Sequence, residues 1–481
     1  MKKYLMPLIA LLFFVKSQSI THAQQTHDLL LTGANIIDVE TGKITQNGIL
    51  AIDKNRISFV GNAAAASAHQ GKRQVNLSGK YIIPGLWDNH VHIEGKDLIE
   101  DNKALFPVYI AYGITTVRDM ASDLGEQVLA WRDQINRGEL FGPEIFTAGR
   151  KLEGIGSIWP DDLEIANEDE LDQMLVKLDN YKVDLVKITD NALKGDLFLK
   201  SVQKSHDRGY IVSAHIPYDL VISDVADAGL SSIEHAHYLL RLGSDERPLV
   251  EKIKAGEMTT SEAQLSYINN FDQDRADAAY RSLAAKNVAV CPTLIGSKKL
   301  TYFDPETENN HPFRQYLTDL FVAKYQWRID RMANDTPADK ARKIKSYELV
   351  ASQLPHVQNA GMLILAGSDS APVNTYVYPA LAIHEELGYF QDAGLTTLQA
   401  LQAATINNAK FMGKLDRLST LKQGKEADIV VLNSNPLENI RSTQDIYAVI
   451  NNGEFFDRAA LDEFLRVARE KRNALNQSRR K

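Results

Sequence analysis

Between residues 81 and 366 short apolar runs alternate with helical patterns eight times, and this alternation restricts the fold more than any other feature of the chain. The candidate strands are 81–87, 114–117, 144–148, 184–188, 211–215, 232–235, 288–291 and 362–366. Residues 168–180, 196–208, 218–229, 273–286 and 346–360 carry apolar positions at helical spacing between them. A strand followed by a crossover helix is the repeating unit of parallel α/β folds. Eight such units predict an α/β chain built on a (β/α)8 TIM-like barrel. A doubly wound open sheet is the competing arrangement, but it gives no reason for eight units.

The two ends follow another pattern. Leu29–Leu31, Ala34–Val39 and Arg56–Asn62 are short apolar runs separated by turns, and Ala427–Leu432 and Ile446–Glu454 repeat the pattern late in the chain. They predict a small composite β-sandwich formed by the N- and C-terminal segments. The expected divisions are a signal segment at 1–23, a first sandwich part at 24–80, the barrel at 81–415, a second sandwich part at 416–456, and a C-terminal helix or tail at 457–481. Residues 295–345 are polar and aromatic, and are expected to form a helical excursion over the barrel mouth.

The 481 residues, 44% hydrophobic and 24% charged, suffice for a large domain plus a smaller one. The formal charge is −8 and there is no long basic run outside the C-terminal tail (Arg479, Arg480 and Lys481), which argues against a nucleic-acid partner. Lys2 and Lys3 precede an apolar stretch from Tyr4 to Val15, and Thr21-His22-Ala23 has small-x-small form. That stretch is short for a membrane span. It reads as a secretory signal cleaved near Ala23, giving a periplasmic or secreted chain with no stable membrane anchor. Cys291 is the one cysteine, so no intramolecular disulfide forms, and its apolar neighbours place it in a core. Oligomeric assembly is left open.

Catalytic residues of such barrels sit at the C-terminal ends of the strands. His90 and His92 close the first strand. Side chains at i and i+2 share a face, so two imidazoles there can grip one metal ion. Two polar residues on a turn is the alternative. Lys187, His215, His235 and Asp369 close the fourth, fifth, sixth and eighth strands. Four of the twelve histidines thus fall at strand ends. Each residue also has an ordinary reading: His215 and His235 as core histidines, Asp369 as a helix cap, and Lys187 paired with Asp184 or Asp190. Strand parity puts Glu234 on the face opposite His235 and puts His237 on the same face, behind the ligands or towards substrate. Tyr238 and Trp159 are candidate substrate contacts, with packing as their alternative.

Several stretches then carry a resemblance. They are Tyr81-Ile82-Ile83-Pro84-Gly85-Leu86-Trp87-Asp88-Asn89-His90-Val91-His92, Gly113-Ile114-Thr115-Thr116-Val117-Arg118-Asp119, Val186-Lys187-Ile188, Ser213-Ala214-His215 and Ser232-Ile233-Glu234-His235. Ala366-Gly367-Ser368-Asp369, residues 403–409 and residues 424–437 complete the set. Over residues 30–455 the chain resembles the amidohydrolase superfamily, in particular the imidazolonepropionase-like group that includes metal-dependent, prolidase-like dipeptidases. The resemblance implies two divalent metals, with zinc expected and Mn, Fe or Co as alternatives. It implies that His90, His92 and Asp369 hold the first, that His215 and His235 hold the second, and that a carbamate on Lys187 joins them.

It also implies an exported hydrolase of amide or peptide C–N bonds. Small dipeptides or N-acyl amino acids would be the substrates and a metal-activated hydroxide the nucleophile. Two cations about 3.5–4 Å apart lower the pKa of a bridging water and polarise the carbonyl. Asp369 would act as general base and then acid. Arg118, Asp119 or Glu234 would fix the histidine tautomers, with a structural salt bridge as the other reading of Arg118 and Asp119. A cyclic-amide hydrolase or deaminase would use the same residues. A non-catalytic exported binding protein would lack ligands, and none is missing here. Two departures stand out. Residues 149–160 lack the Gly-Gly-His element of dipeptidase-like relatives, and Leu418-Ser419-Thr420-Leu421 replaces a Gly-Ser-Ile turn.

Overall fold

A computed structural model describes residues 24–481; the expected signal segment and its cleavage point lie outside the described residues. The chain opens with β1 (Gln25–Ile37), β2 (Ile44–Asp53), β3 (Arg56–Gly61), β4 (His69–Asn76) and β5 (Tyr81–Pro84). β1 pairs antiparallel with β2 on one edge. On its other edge β4 runs parallel to its first half and β5 to its second. Gly33 bends β1 where the partner changes, at φ 77°.

The run expected as one strand at 81–87 is divided. Gly85 donates its N–H to Asp428 O, and β6 (Leu86–Val91) starts a new parallel set. A Cβ on Gly85 would stand 2.0 Å from Thr115 Oγ1, so only glycine passes this junction. β7 (Ile114–Asp119) and β8 (Glu144–Thr147) continue the set. The loop expected after β8 instead holds two short strands, β9 (Leu152–Gly154) and β10 (Leu163–Ile165). These edge a second parallel sheet with β11 (Val186–Ile188), β12 (Val212–Ala214), β13 (Ser232–Glu234) and β14 (Ala289–Cys291).

Backbone bonds link the pieces. Asp184 N–H donates to Thr147 O, joining β8 to the approach to β11. The expected strand 362–366 makes only an isolated bridge, Val290 to Ile364, because the chain bends at once through Gly367 into Asp369 at φ 58°. Its backbone nevertheless bonds both sides: Leu365 N–H to Val290 O, and Asn89 N–H to Ala366 O. The chain is thus a mixed α/β fold with helices between parallel strands. Glu168–Tyr181, capped by Asn167, and Gly195–Asp207 match their expected positions. The expected helix 346–360 is two, Pro337–Ser352 and Leu354–Asn359, with Pro355 at the start of the second. Residues 295–345 are largely helical, as expected.

β15 (Ile429–Leu432), β16 (Ile446–Asn451) and β17 (Glu454–Asp457) return to β5 and complete one connected eight-stranded sheet drawn from both ends. Ile82, Ile429 and Val431 enter the sheet's own core, while Ile83, Val430 and Leu432 enter the large core beneath the parallel strands. Burial on both faces is why these strands read as continuous apolar runs. The last helix, Arg458–Arg479, packs on Ile99–Ala111 through Arg479–Asp101 and Lys471–Glu100 pairs. Among the described residues no helix is long and apolar enough to cross a membrane.

Gly85→Ala should lower stability by about 1–3 kcal/mol through overpacking against Thr115. Denaturant titration measures it, and an unchanged midpoint would contradict the junction described.

Candidate metal centre

Five of the six residues expected as ligands line one small cavity, and the sixth, His90, lies against its wall beside Asp369. His90, inside β6, is fully buried; its Nδ1 lies 2.7 Å from Glu234 Oε2, and its Nε2 has no hydrogen-bond partner. That Nε2 is 3.3 Å from Asp369 Oδ1, and His92 Nε2 is 3.4 Å from the same oxygen. His92 Nδ1–H donates to Ala121 O at 2.7 Å. His215 and His235 bring their Nε2 atoms to 2.9 Å of each other, and His235 Nδ1 bonds Thr293 Oγ1 at 2.7 Å. Donor atoms of His90, His235 and Asp369 all lie within 4.8 Å of one another. Lys187 lines the same cavity as His92, His215, His235 and Asp369, and its Nζ is buried without a hydrogen-bond partner. It pairs with neither expected acid. Asp184 takes Arg132 and Thr147 N–H, and Asp190 lies beside His215 and Tyr238.

Behind His90 runs a fully buried chain. Arg118 donates to Glu234 Oε1 at 2.8 Å, to Asn89 O and to Ser213 Oγ. Ser232 Oγ–H also donates to Glu234 Oε1. Glu234 therefore faces inward, contrary to strand parity. β13 ends at Glu234, and His235, at φ 75°, swings its ring to the same side. Asp119 takes no part in that chain; it accepts Ile93 N–H and Thr147 Oγ1–H.

The electrostatics suit ligation. Burial lowers His90 to about 4 and pushes His215 and His235 well below the usual imidazole value, leaving neutral rings. Burial alone would raise Asp369, but its histidine neighbours hold the carboxyl low, and against burial its bond to His92 raises that ring in return. Burial lowers the Lys187 ammonium to about 8. Burial would likewise raise Glu234, but Arg118 and the His90 bond hold it well below its ordinary range. Neutral rings at His90, His215 and His235, an ionised carboxylate and two orphaned nitrogens form a donor set that fits a divalent metal.

The candidate substrate contacts separate. Trp159 lines the cavity and packs on Trp327, with ring centroids 5.4 Å apart. Tyr238 is buried behind His215, its ring centroid 6.4 Å away, and does not line the cavity. His237 is exposed and lines two neighbouring cavities instead. Strand parity does not reach it, because a 3-10 helix begins at Ala236. Sequence reasoning missed Glu94, Lys151 and Arg328, which also line the metal cavity. Glu94 continues the alternation His90-x-His92-x-Glu94, a signal open to a closer reading. Arg328 comes from the helix Gln326–Met332, where no periodicity marks it. Cys291 is fully buried, as expected.

The amidohydrolase family model matches residues 81–455. The chain belongs to that family. It is a metal-dependent hydrolase of the amidohydrolase type, acting on C–N bonds. An ochratoxinase of Aspergillus niger is 23% identical over 445 residues, covering 85% of this chain and 82% of that protein. An adenine deaminase of Kosmotoga olearia is 33% identical over 108 residues, which are 22% of this chain and 18% of that protein. A solved Xaa-Pro dipeptidase with bound methionine shares the fold at TM-score 0.63 and 20% identity, covering 89% of this chain and 99% of its own.

Two expectations follow for the metal-free protein. Its buried neutral histidines contribute stability that is complete above pH 6.5 and is lost as pH falls towards 4. The lowered carboxyl of Glu234 contributes stability that is complete above pH 4.5 and is lost below it. Glu234→Gln should cost about 3–5 kcal/mol near neutral pH by leaving Arg118 buried and uncompensated, and should remove the Glu234 part of the acid decline. Urea unfolding across pH measures both. A variant as stable as the parent would contradict the buried chain.

Proposed function

We propose that this chain hydrolyses the amide bond of small dipeptides or N-acyl amino acids at a two-metal centre. The observation that carries the reading is the convergence of His92, Lys187, His215, His235 and Asp369 on one cavity, with His90 grouped against His235 and Asp369, and with His90 Nε2 and Lys187 Nζ left without partners. In this reading His90, His92 and Asp369 would hold one zinc ion and His215 and His235 the other. Lys187 would complete the donor set as a carbamate, formed when the neutral amine adds to CO2 and gives up a proton. The metals, when bound, lower the pKa of a water and polarise the substrate carbonyl.

The remaining roles belong to the chain's own groups. Glu234, Ala121 O and Thr293 each engage an Nδ1, of His90, His92 and His235 respectively, which turns the Nε2 lone pairs towards the cavity. Asp369 is steadied at Oδ2 by Asn374 Nδ2 at 2.7 Å. Its ionised carboxylate is placed to accept a proton from the attacking water and pass it to the leaving nitrogen. A deaminase or cyclic-amide hydrolase would need the same groups. Matches of near full length to an ochratoxinase and a dipeptidase, against a short stretch of adenine deaminase, favour the amide reading.

The architecture is part of the proposal. β6, β7, β8, β11, β12, β13, β14 and segment 362–366 form a closed (β/α)8 barrel within 81–415. Segments 24–80 and 416–456 fold over each other as a sandwich, and 457–481 is a helical appendage. The pattern at 2–23 supports export.

A library of dipeptides and N-acyl amino acids, offered to zinc- or manganese-loaded protein, tests the reading. Hydrolysis should appear, stop on chelation and return with metal. Asp369→Asn should lower kcat by about 100–10,000-fold. Rates unaffected by chelation, or full activity in D369N, would overturn it.

A further inference from the structure

We propose that Arg328 is the recognition residue for a carboxylate on the substrate, and that the chamber beside it houses the body of that substrate. This deepens the amide-hydrolase reading and rests on it.

Space makes the first argument. The metal cavity holds only about 50 Å³. That is room for a few water molecules at about 10–15 Å³ each, not for a dipeptide. A chamber of about 330 Å³ lies next to it, and Arg328 belongs to the walls of both. His237, Lys343 and Ser346 connect that chamber in turn to a third space of about 250 Å³. A substrate that reaches from the metal cavity into the adjoining chamber therefore lies against Arg328.

Charge makes the second. Leu300, Met332, Tyr347 and Val350 give the middle chamber apolar walls. Its cations are Arg328, Arg331 and Lys343, and Lys343 is already paired with Asp335. Among the described residues Arg328 and Arg331 have no carboxylate within salt-bridge distance; both lie instead against the Trp327 ring. Arg328 Nε is buried without an acceptor. A buried guanidinium N–H left unmade is costly, so its acceptor is expected to arrive with the ligand. The planar guanidinium fork fits a carboxylate in two-point fashion, and amides of amino acids carry one. The ligand class is therefore an amide bearing a free carboxylate and an apolar, aromatic-sized side chain.

Calorimetry on the full-length, zinc-loaded protein tests this with two unreactive probes, 3-phenylpropionate and neutral 3-phenylpropanol. The acid should bind more tightly than the alcohol. Arg328→Met should weaken the acid by about 10–100-fold and leave the alcohol nearly unchanged, and Arg328→Lys should restore part of the difference. Where the Met variant fails to fold, Arg328→Gln takes its place. In parallel, kcat/KM for N-acetylphenylalanine should exceed that for its carboxamide, and R328M should erase the preference. Equal binding of acid and alcohol, or an unchanged acid affinity in R328M, would overturn the proposal. Amides hydrolysed regardless of carboxylate, with R328M unchanged, would sink the carboxylate role and leave the hydrolase reading standing. Arg328-dependent acid binding with no amide hydrolysed would do the reverse. A phosphonate analogue bound better than the acid, and lost in R328M, would reassign the site to phosphate-like anions.

Discussion

The buried ion pair between Arg118 and Glu234 ties together the four strands that carry His90, lead into His235 and support them. Both side chains are fully buried, and two charges removed from water are tolerable only when each is matched and hydrogen-bonded. Arg118 meets that demand through Glu234, Asn89 O and Ser213; Glu234 meets it through Arg118, Ser232 and His90. β6, β7, β12 and β13 are thereby held at their C-terminal ends. The same carboxylate fixes the tautomer of His90. Structural satisfaction of one charge and chemical preparation of one imidazole are a single arrangement.

The sheet from the two chain ends acts on the same strand from the other side. β5 belongs to that sheet and runs through Gly85 straight into β6, so the strand carrying His90 is fastened before it begins. β15 closes on β5 after the last parallel segment has been laid down. Ile82 and Val431 face one core and Ile83 and Val430 the other, which welds the terminal sheet to the large core without a linker. Trp87 N–H donates to Ala404 O and Asn89 N–H to Ala366 O, tying β6 to the end of the parallel set.

Much of this was legible in the sequence where apolar runs and strand ends carry the signal. Seven of the eight expected strands are strands, five of the six expected ligands line one cavity, and His90 lies beside it against Asp369. Strand parity failed where strands stop. Glu234 faces inward because His235 leaves the extended region, and His237 points away because a 3-10 turn intervenes. The split at Gly85 was hidden because both halves are apolar, and a Cβ clash with Thr115 is a property of the folded packing. Tyr238 was drawn to the site by its nearness in sequence to His235, yet it is core. Arg328 was invisible for the opposite reason: a short helix far along the chain brings it to the cavity, and nothing local in its sequence records the destination.

In the proposed reading six side chains form one site for a pair of metals, with Lys187 as the group they share. Elemental analysis of zinc-loaded protein in bicarbonate buffer, set beside a Lys187→Ala variant and an intact-mass measurement of both, addresses that directly. The account predicts about two zinc ions per chain in the parent, the added mass of one CO2, and a loss of both the extra mass and the second ion in the variant. A single ion in parent and variant alike, with no added mass, would contradict it.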